Sequence, residues 1–505
     1  MIPLRLNLAA HLLDARIAEG RGDRPAVRTN DRIFSYSDIA RLSAQYAGVL
    51  ASDEVRPEER VIVGLPDGPD FVASLFGILR HGSVVVMINP DAPGDLTQYF
   101  FEYTRATAAF VPADGIDRFT REIAGLPHAP HLYAVGSAEL SARLHAQPTD
   151  VLPFDSHRDD AAIWLFSGGT TGRPKGVVQT HRSFANTTAL YGQGILGIRE
   201  DDITIAVPKL FFGYATGANV FFPFSVGASC VLFPERCTPE TLFAEIARHR
   251  PTILVNVPTM IQQMVAHADA RSQDCSSLRL VTSAGEALPP ELHDRWMQKF
   301  GVELLDGLGT AEMWHIFISN RPGDVVPGTL GKAVPGFDVK LCDAEDREVA
   351  DGEVGTLWVK GDSRAIGYWQ QMDETARAFR GEWYVSGDML RRNADGTFTY
   401  CGRADDMLKV SGKWLAPGEL ENCLLTHPAV REVAVVGVRN PDGLVKPCAF
   451  VVTSRPSPAL AEELRAFAKS KLEPYKYPRG VIFVDELPRT HLGKVDRAVL
   501  ARTKV

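Results

Sequence analysis

Between positions 166 and 176 the chain reads Phe-Ser-Gly-Gly-Thr-Thr-Gly-Arg-Pro-Lys-Gly, directly after the apolar run 161–165. Gly168, Gly169 and Gly172 free the backbone for close approach, Ser167, Thr170 and Thr171 offer hydroxyl donors, and Lys175 adds a positive charge. A loop of that make-up can wrap a polyphosphate. It is not a Walker loop, because Arg173 and Pro174 separate Gly172 from Lys175 and break the GxxxxGK[S/T] spacing. A flexible surface turn is the plainer alternative, and the density of glycine, hydroxyl and lysine weighs against it.

Three further charged residues could serve the same chemistry. Glu312 follows a Gly-containing turn, and a carboxylate near phosphates can hold Mg²⁺, which prefers oxygen ligands. Asp388 ends an aromatic and β-branched run, where one carboxylate could accept from both hydroxyls of a ribose; otherwise it reads as a turn or helix cap. Lys494 follows Gly493 near the C-terminus and could meet charge that develops during a reaction. Taken singly, Glu312 and Lys494 read as solvated surface residues. No Ser-His-Asp or Cys-His constellation is recognisable.

The elements that must position these residues follow from length and patterning. A chain of 505 residues is too long for one core, so at least two domains are expected. Short Val- and Ile-rich runs at 61–64, 84–88 and 253–257 alternate with helical patterns such as 241–248, the rhythm of largely parallel βα layers. The stretch 219–234 reads as buried strand and turn, and the first residues as an amphipathic helix. Beyond about 400 the texture changes: strands are expected at 430–438, 447–452 and 480–484 and a helix at 459–472. The expected fold is therefore α/β, with a large N-terminal domain of βα layers and mixed sheets over 1–403. A small α+β domain follows over 404–505, the boundary being the charged turn 402–406.

The net charge of −8, without blocks of like charge, argues against nucleic acid or an anionic membrane as partner and leaves small molecules. Seven cysteines without CxxC spacing indicate neither a disulfide framework nor a zinc site, and fit a reducing cytoplasm.

In order along the chain, the 166–176 loop is joined by Ser-Ala-Gly-Glu-Ala-Leu-Pro at 283–289, Gly-Thr-Ala-Glu at 309–312 and Tyr-Val-Ser-Gly-Asp at 384–388. Gly-Arg-Ala-Asp-Asp at 402–406 and Pro-Arg-Thr-His-Leu-Gly-Lys at 488–494 complete the set. This set resembles the adenylate-forming superfamily of acyl-CoA synthetases, peptide-synthetase adenylation domains and luciferases, over nearly the whole chain. The resemblance implies that a carboxylate attacks ATP to give an acyl-AMP and that a thiol then displaces AMP, with Mg²⁺ and coenzyme A taking part. It assigns Lys175 and the hydroxyls of Ser167, Thr170 and Thr171 to phosphates, and Gly285, Glu286 and Ala287 to the adenine wall. Asp388 and Arg403 go to the ribose, and Asp306, Gly307 and Thr310 complete the nucleotide set. Glu312 is implied as the metal ligand, Lys494 as the catalyst of adenylation, and Asp405 as the pivot of a mobile small domain.

Lys-Leu-Phe-Phe-Gly-Tyr-Ala-Thr-Gly at 209–217 and Glu-Met-Trp-His-Ile-Phe-Ile-Ser-Asn at 312–320 are similar to benzoate-CoA and hydroxybenzoate-CoA ligases. That closer resemblance places Tyr214, Ala284, Gly309, Trp314 and His315 around an aromatic acid, although His315 alone would read as a core histidine. Several positions depart from the pattern: Ala311 stands where a threonine is usual, so that either Thr310 substitutes as the phosphate contact or that contact is missing, and Leu492 and Gly168 replace hydroxyl residues. Trp314 is bulkier than usual, while Asn256 and Thr216 bring polar groups, which points to a substituted benzoate. Coenzyme A is the expected acceptor. A carrier-protein phosphopantetheine thiol, a non-thiol acceptor and a homodimer stay open.

Overall fold

The computed structural model describes residues 2–168, 173–410, 413–415, 417–439, 445–489 and 495–502. Its contacts gather into two compact units. One holds Met1–Leu288, Leu292–Asp338 and Lys360–Tyr384; the other holds Pro289–Glu291, Val339–Val359 and Val385–Val505.

The first unit carries two sheets. In the seven-stranded sheet the order is Gly367–Tyr368, Lys175–Thr180, Ala161–Ser167, Val84–Met87, Arg60–Val63, Ala108–Pro112 and His131–Val135. Its centre is parallel, and Lys175–Thr180 returns antiparallel beside Ala161–Ser167. Val84–Met87 is buried at all four positions, as a parallel strand covered on both faces requires. Helix Pro69–His81 shows how sequence sets the crossovers. Proline opens it, Arg80 and His81 lie in its last turn, and Gly82 ends it at φ +87°.

The nine-stranded sheet runs Lys332–Ala333, Ile316–Ser319, Leu304–Gly309, Leu280–Ser283, Ile253–Asn256, Ile203–Ala206, Ser229–Val231, Pro25–Arg28 and Ile33–Ser35. One core beneath it includes Trp296, fully buried, whose indole N–H donates to the Val302 carbonyl at 2.8 Å.

Most of the expected strands and helices are present, but the stretch 219–234 needs correction. Its first half is helical, through Gly217–Phe221 and Phe222–Val226, and only Ser229–Val231 is strand. An apolar run that is buried all round carries no periodicity to separate helix from strand. The deciding local features are Pro223 in the first turn and Gly227, which ends the helix at φ +81°.

In the second unit, Asp338–Cys342, Val354–Lys360, Trp383–Arg392 and Phe398–Arg403 lie side by side. Farther along, Glu432–Arg439 pairs antiparallel with Val445–Val452, which pairs parallel with Gly480–Phe483. Helices Pro417–Leu425 and Pro458–Lys471 bury Leu420, Leu424, Leu464 and Ala468 with Val435 and Val451 of this small sheet. That is the α+β texture expected for the C-terminal region. Gly402 and Arg403 still belong to a strand, so the turn there begins at Ala404. No described helix is long and apolar enough to cross a membrane, and all seven cysteines are free.

Candidate active site

The glycine-rich segment closes a hairpin. Ser167 on the outgoing strand faces Lys175 on the returning one, and Phe166 faces Gly176. Lys175 is therefore a strand residue, held by the sheet rather than by the loop it follows. Gly169, Thr170, Thr171 and Gly172 lie outside the described residues. The hairpin shoulder is fastened from below: the Tyr99 hydroxyl donates to the Pro174 carbonyl at 2.7 Å, and the Arg173 guanidinium lies 4.9 Å from the Tyr99 ring centre. Gly168 is exposed, and among the described residues no atom lies within 4 Å of where a Cβ would be. Lys175 is buried. Its Nζ donates to Oε2 of Glu374 at 2.9 Å and lies 5.1 Å from the Tyr368 ring centre.

Glu312 sits in the single turn Ala311–Met313 after strand Leu304–Gly309, with Thr310 Oγ1 accepting from Met313 N at 3.3 Å as the cap. A capping hydroxyl still has its own proton to donate. The Glu312 side chain is 4% exposed, and Tyr368 donates its hydroxyl to Oε1 at 2.8 Å. Burial, then the Glu312 charge, push the Tyr368 phenol far above its ordinary range, so it stays protonated as a donor. Gln179 donates to the Ala311 carbonyl at 2.6 Å and fixes the same turn from the neighbouring strand.

On strand Leu304–Gly309, which leads into this turn, the Asp306 carboxyl is pushed well up by burial, against the Ser283 hydroxyl and the Gly307 N–H, and its Oδ1 has no partner among the described residues. A buried carboxyl with an oxygen unpartnered among the described residues can meet an amine or ring nitrogen. Gly285, at φ +88°, Glu286 and Ala287 form an exposed shelf, and Glu286 accepts from Thr259 N at 3.1 Å.

The candidate aryl residues are neighbours. The His315 ring centre lies 5.2 Å from Tyr214, 5.5 Å from Tyr191 and 4.7 Å from Phe222. Tyr214 bonds Thr282 through its hydroxyl at 2.7 Å, and Ala284 follows the Thr282 strand. Glycines make room for His315, Gly217 beside its ring and Gly309 beside its backbone. A Cβ on Gly217 would lie 2.5 Å from His315 Cδ2, and one on Gly309 would lie 2.4 Å from the His315 carbonyl oxygen. Burial drives the imidazole down to about 3, so it is neutral at working pH. Nε2 lies 3.1 Å from the Tyr214 carbonyl, which can only accept, so Nε2 carries the proton and Nδ1 keeps a lone pair. Nδ1 is buried and has no partner among the described residues.

Trp314 packs on Phe184 at 4.4 Å and is 2% exposed. Its backbone is unusual: φ +61° and ψ −50°, with His315 N donating to the Met313 carbonyl at 2.9 Å. This is a γ-turn of the rare positive-φ kind, and such backbone costs on the order of 1–3 kcal/mol. It turns Trp314 and His315 sharply out of the Ala311–Met313 turn.

The two polar departures are accounted for by the protein itself. Thr216 donates its hydroxyl to the Leu210 carbonyl, while Asn256 accepts from Val257 N at 2.8 Å and lies 3.5 Å from Met264 Sδ. Both side chains are thus engaged within the protein, whereas His315 Nδ1 has no partner among the described residues.

In the second unit, Asp388 lies within strand Trp383–Arg392 opposite Arg403, not at a turn or helix end. It is 6% exposed; Ser386 donates to Oδ2, and Tyr400 lies 3.4 Å and Arg403 3.5 Å from Oδ1. Arg403 fits because position 387 is glycine, where a Cβ would meet its guanidinium at 2.3 Å. Asp405 is exposed in the following turn. Beside it, Asp406 is raised by burial and lies 3.6 Å from Arg497. Lys494 lies outside the described residues.

Tyr368, Glu374 and Gln179 escaped the sequence reading. The contacts join residues 56 and 199 positions apart, and no local spacing announces them.

The family described as AMP-binding enzyme matches residues 14–369, and the AMP-binding enzyme C-terminal domain matches 419–494. A benzoate–CoA ligase of Thauera aromatica is 40% identical over 504 residues, covering 98% of this chain and 96% of that protein. A 4-hydroxybenzoate–CoA/benzoate–CoA ligase of Rhodopseudomonas palustris is 39% identical, covering 99% and 94%. Among solved structures, the anthranilate CoA ligase AuaEII in complex with anthranoyl-AMP matches with a TM-score of 0.94 at 38% identity, covering 99% and 97%.

Proposed function

This chain belongs to the AMP-binding enzyme family, and from that premise we propose that it is an AMP-forming acid–thiol ligase. Its substrates are an aromatic carboxylic acid, ATP and coenzyme A. The observation that carries this reading is full-length similarity to ligases of aromatic acids, joined to a neutral buried His315 beside Tyr214 between two glycines.

A carboxylate is a poor acyl donor, because its leaving group would be oxide. One carboxylate oxygen attacks the α-phosphorus of ATP, the bond from that phosphorus to pyrophosphate breaks, and a mixed anhydride with AMP forms. The thiol sulfur then attacks the acyl carbon, loses its proton to solvent, and AMP departs with the bonding pair. Lys175, Ser167, Thr170, Thr171 and the glycines of the loop take the phosphates. Asp306, Gly307 and the Gly285, Glu286, Ala287 shelf take the base. Thr310 supplies the phosphate contact that Ala311 lacks. Asp388 and Arg403 take the ribose, Lys494 meets the charge that develops at the α-phosphate, and Asp405 is the hinge of the 404–505 domain.

Among the described residues no three His, Cys, Asp or Glu gather into a metal cage. A single buried carboxylate, Glu312, suits Mg²⁺, which keeps most of its waters and shares phosphate oxygens. Bound there, the ion would offset phosphate charge. The free cysteines and the enzyme class support a cytoplasmic setting.

The lone pair on His315 Nδ1 calls for a donor, which a ring hydroxyl or amine would supply. In a panel of benzoate, hydroxybenzoates, aminobenzoates and fatty acids, pyrophosphate and thioester release should be highest for an aromatic acid. At least one hydroxy- or aminobenzoate should exceed benzoate in kcat/KM by about tenfold. His315→Phe should remove that preference. Benzoate turned over as well as every substituted acid would end the substituent reading, and fatty acids winning would end the aromatic one. Mass spectrometry with coenzyme A and with a holo carrier protein identifies the thiol.

A further inference from the structure

Glu374 stands in the first turn of helix Met372–Ala378, directly after strand Gly367–Tyr368. That strand is bound to the Lys175 strand by pairing at Val177 and Val178, and Trp369 N donates to the Gly176 carbonyl at 2.8 Å. The backbone therefore sets where Glu374 stands over Lys175. Its Oε2 accepts from Lys175 Nζ at 2.9 Å, and its Oε1 accepts from Arg377 Nη1 at 2.6 Å. The Lys175 side chain is 10% exposed and that of Glu374 is 36% exposed, so one end of the pair is largely out of water and the other reaches it.

An ammonium brings one positive charge. If Lys175 is to serve a nucleotide phosphate, that charge has to be shared with, or withdrawn from, the carboxylate that now holds it. The incoming phosphate also meets a like charge on Glu374. Arg377 stays on the same carboxylate when Lys175 turns away, which lowers the cost of separating the pair.

We propose that Glu374 is a positioning residue that holds Lys175 in the nucleotide-free protein and competes with the phosphates of ATP for it, so that Glu374 sets ATP affinity. This rests on the reading of Lys175 as a phosphate ligand. The competition is moderate, because a half-solvated ion pair is a weak one.

The test is equilibrium binding of ATP to the full-length protein, without acid, in the wild type, Glu374→Gln, Glu374→Asp, Lys175→Ala and the double variant Lys175→Ala/Glu374→Gln. Glu374→Gln should tighten ATP by about threefold to fivefold. In ATP–pyrophosphate exchange with benzoate the gain should appear in KM for ATP rather than in kcat. Glu374→Asp, which keeps the carboxylate, should restore near wild-type affinity, and the gain should vanish in the Lys175→Ala background. If Lys175→Ala weakens ATP but Glu374→Gln does not tighten it, the competition is refuted while the phosphate reading stands. A gain of equal size in the double variant would also refute it, since Glu374 would then act on the nucleotide directly. If Lys175→Ala binds ATP like the wild type, the phosphate reading itself falls.

Discussion

Lys494→Ala should slow formation of the acyl-adenylate by about a hundredfold to a thousandfold, the usual loss when one preorganised donor to developing charge is removed. Thioester formation from supplied acyl-AMP and coenzyme A should stay within a few-fold of the wild type. The asymmetry follows from where charge grows. In the first half-reaction, negative charge builds on the phosphate oxygens and the departing pyrophosphate, and a lysine there acts in the transition state. In the second, the anhydride is already made and the sulfur attack takes place at carbon. Pyrophosphate exchange measures the first step, and thioester release from synthetic adenylate measures the second. Equal losses in both would assign Lys494 to folding or to general binding instead.

Asp388→Ala should raise KM for ATP by about a hundredfold or more, since a hydrogen bond to a charged group contributes on the order of 1.5–3 kcal/mol and two ribose hydroxyls are involved. The carboxylate is held ready by the Ser386 hydroxyl on Oδ2, leaving Oδ1 facing Tyr400 and Arg403. Removing it also strands the Ser386 and Tyr400 hydroxyls, which costs about 1–3 kcal/mol of stability each if they find no other partner. A melting curve by circular dichroism tracks that second effect, and ATP binding to the still-folded variant tracks the first. A KM for ATP within threefold of the wild type would sink the ribose assignment.

The parts of this protein that its sequence announces are those governed by local rules. Helix Pro69–His81 carries its own start and stop in proline and Gly82. The strands Val84–Met87 and Ile253–Asn256 are Val- and Ile-rich runs buried at every position, and they stand where patterning puts them. The phosphate loop is visible because glycine, hydroxyls and lysine are crowded into a few residues. What patterning misjudged depends on distant atoms. The helix over 219–226 is hidden from patterning because that segment is enclosed on every side, which erases periodicity. Thr216 and Asn256 looked like recognition groups by residue type, yet nearby backbone groups already engage them. Conversely, Tyr368 and Glu374 are ordinary in sequence and become interesting only because strand pairing lays them against Glu312 and Lys175.

The turn at Trp314 bears on how this protein could acquire a new acid. Residue 314 sits at φ +61° and bulky or β-branched side chains resist that backbone, so most replacements there would shift the peptide before they reshape any pocket. Natural drift and laboratory libraries alike therefore have few usable letters at 314, with glycine the least opposed. Tyr214, Ala284 and His315, proposed above to surround the acid, carry no such backbone constraint and are free to vary where 314 is not.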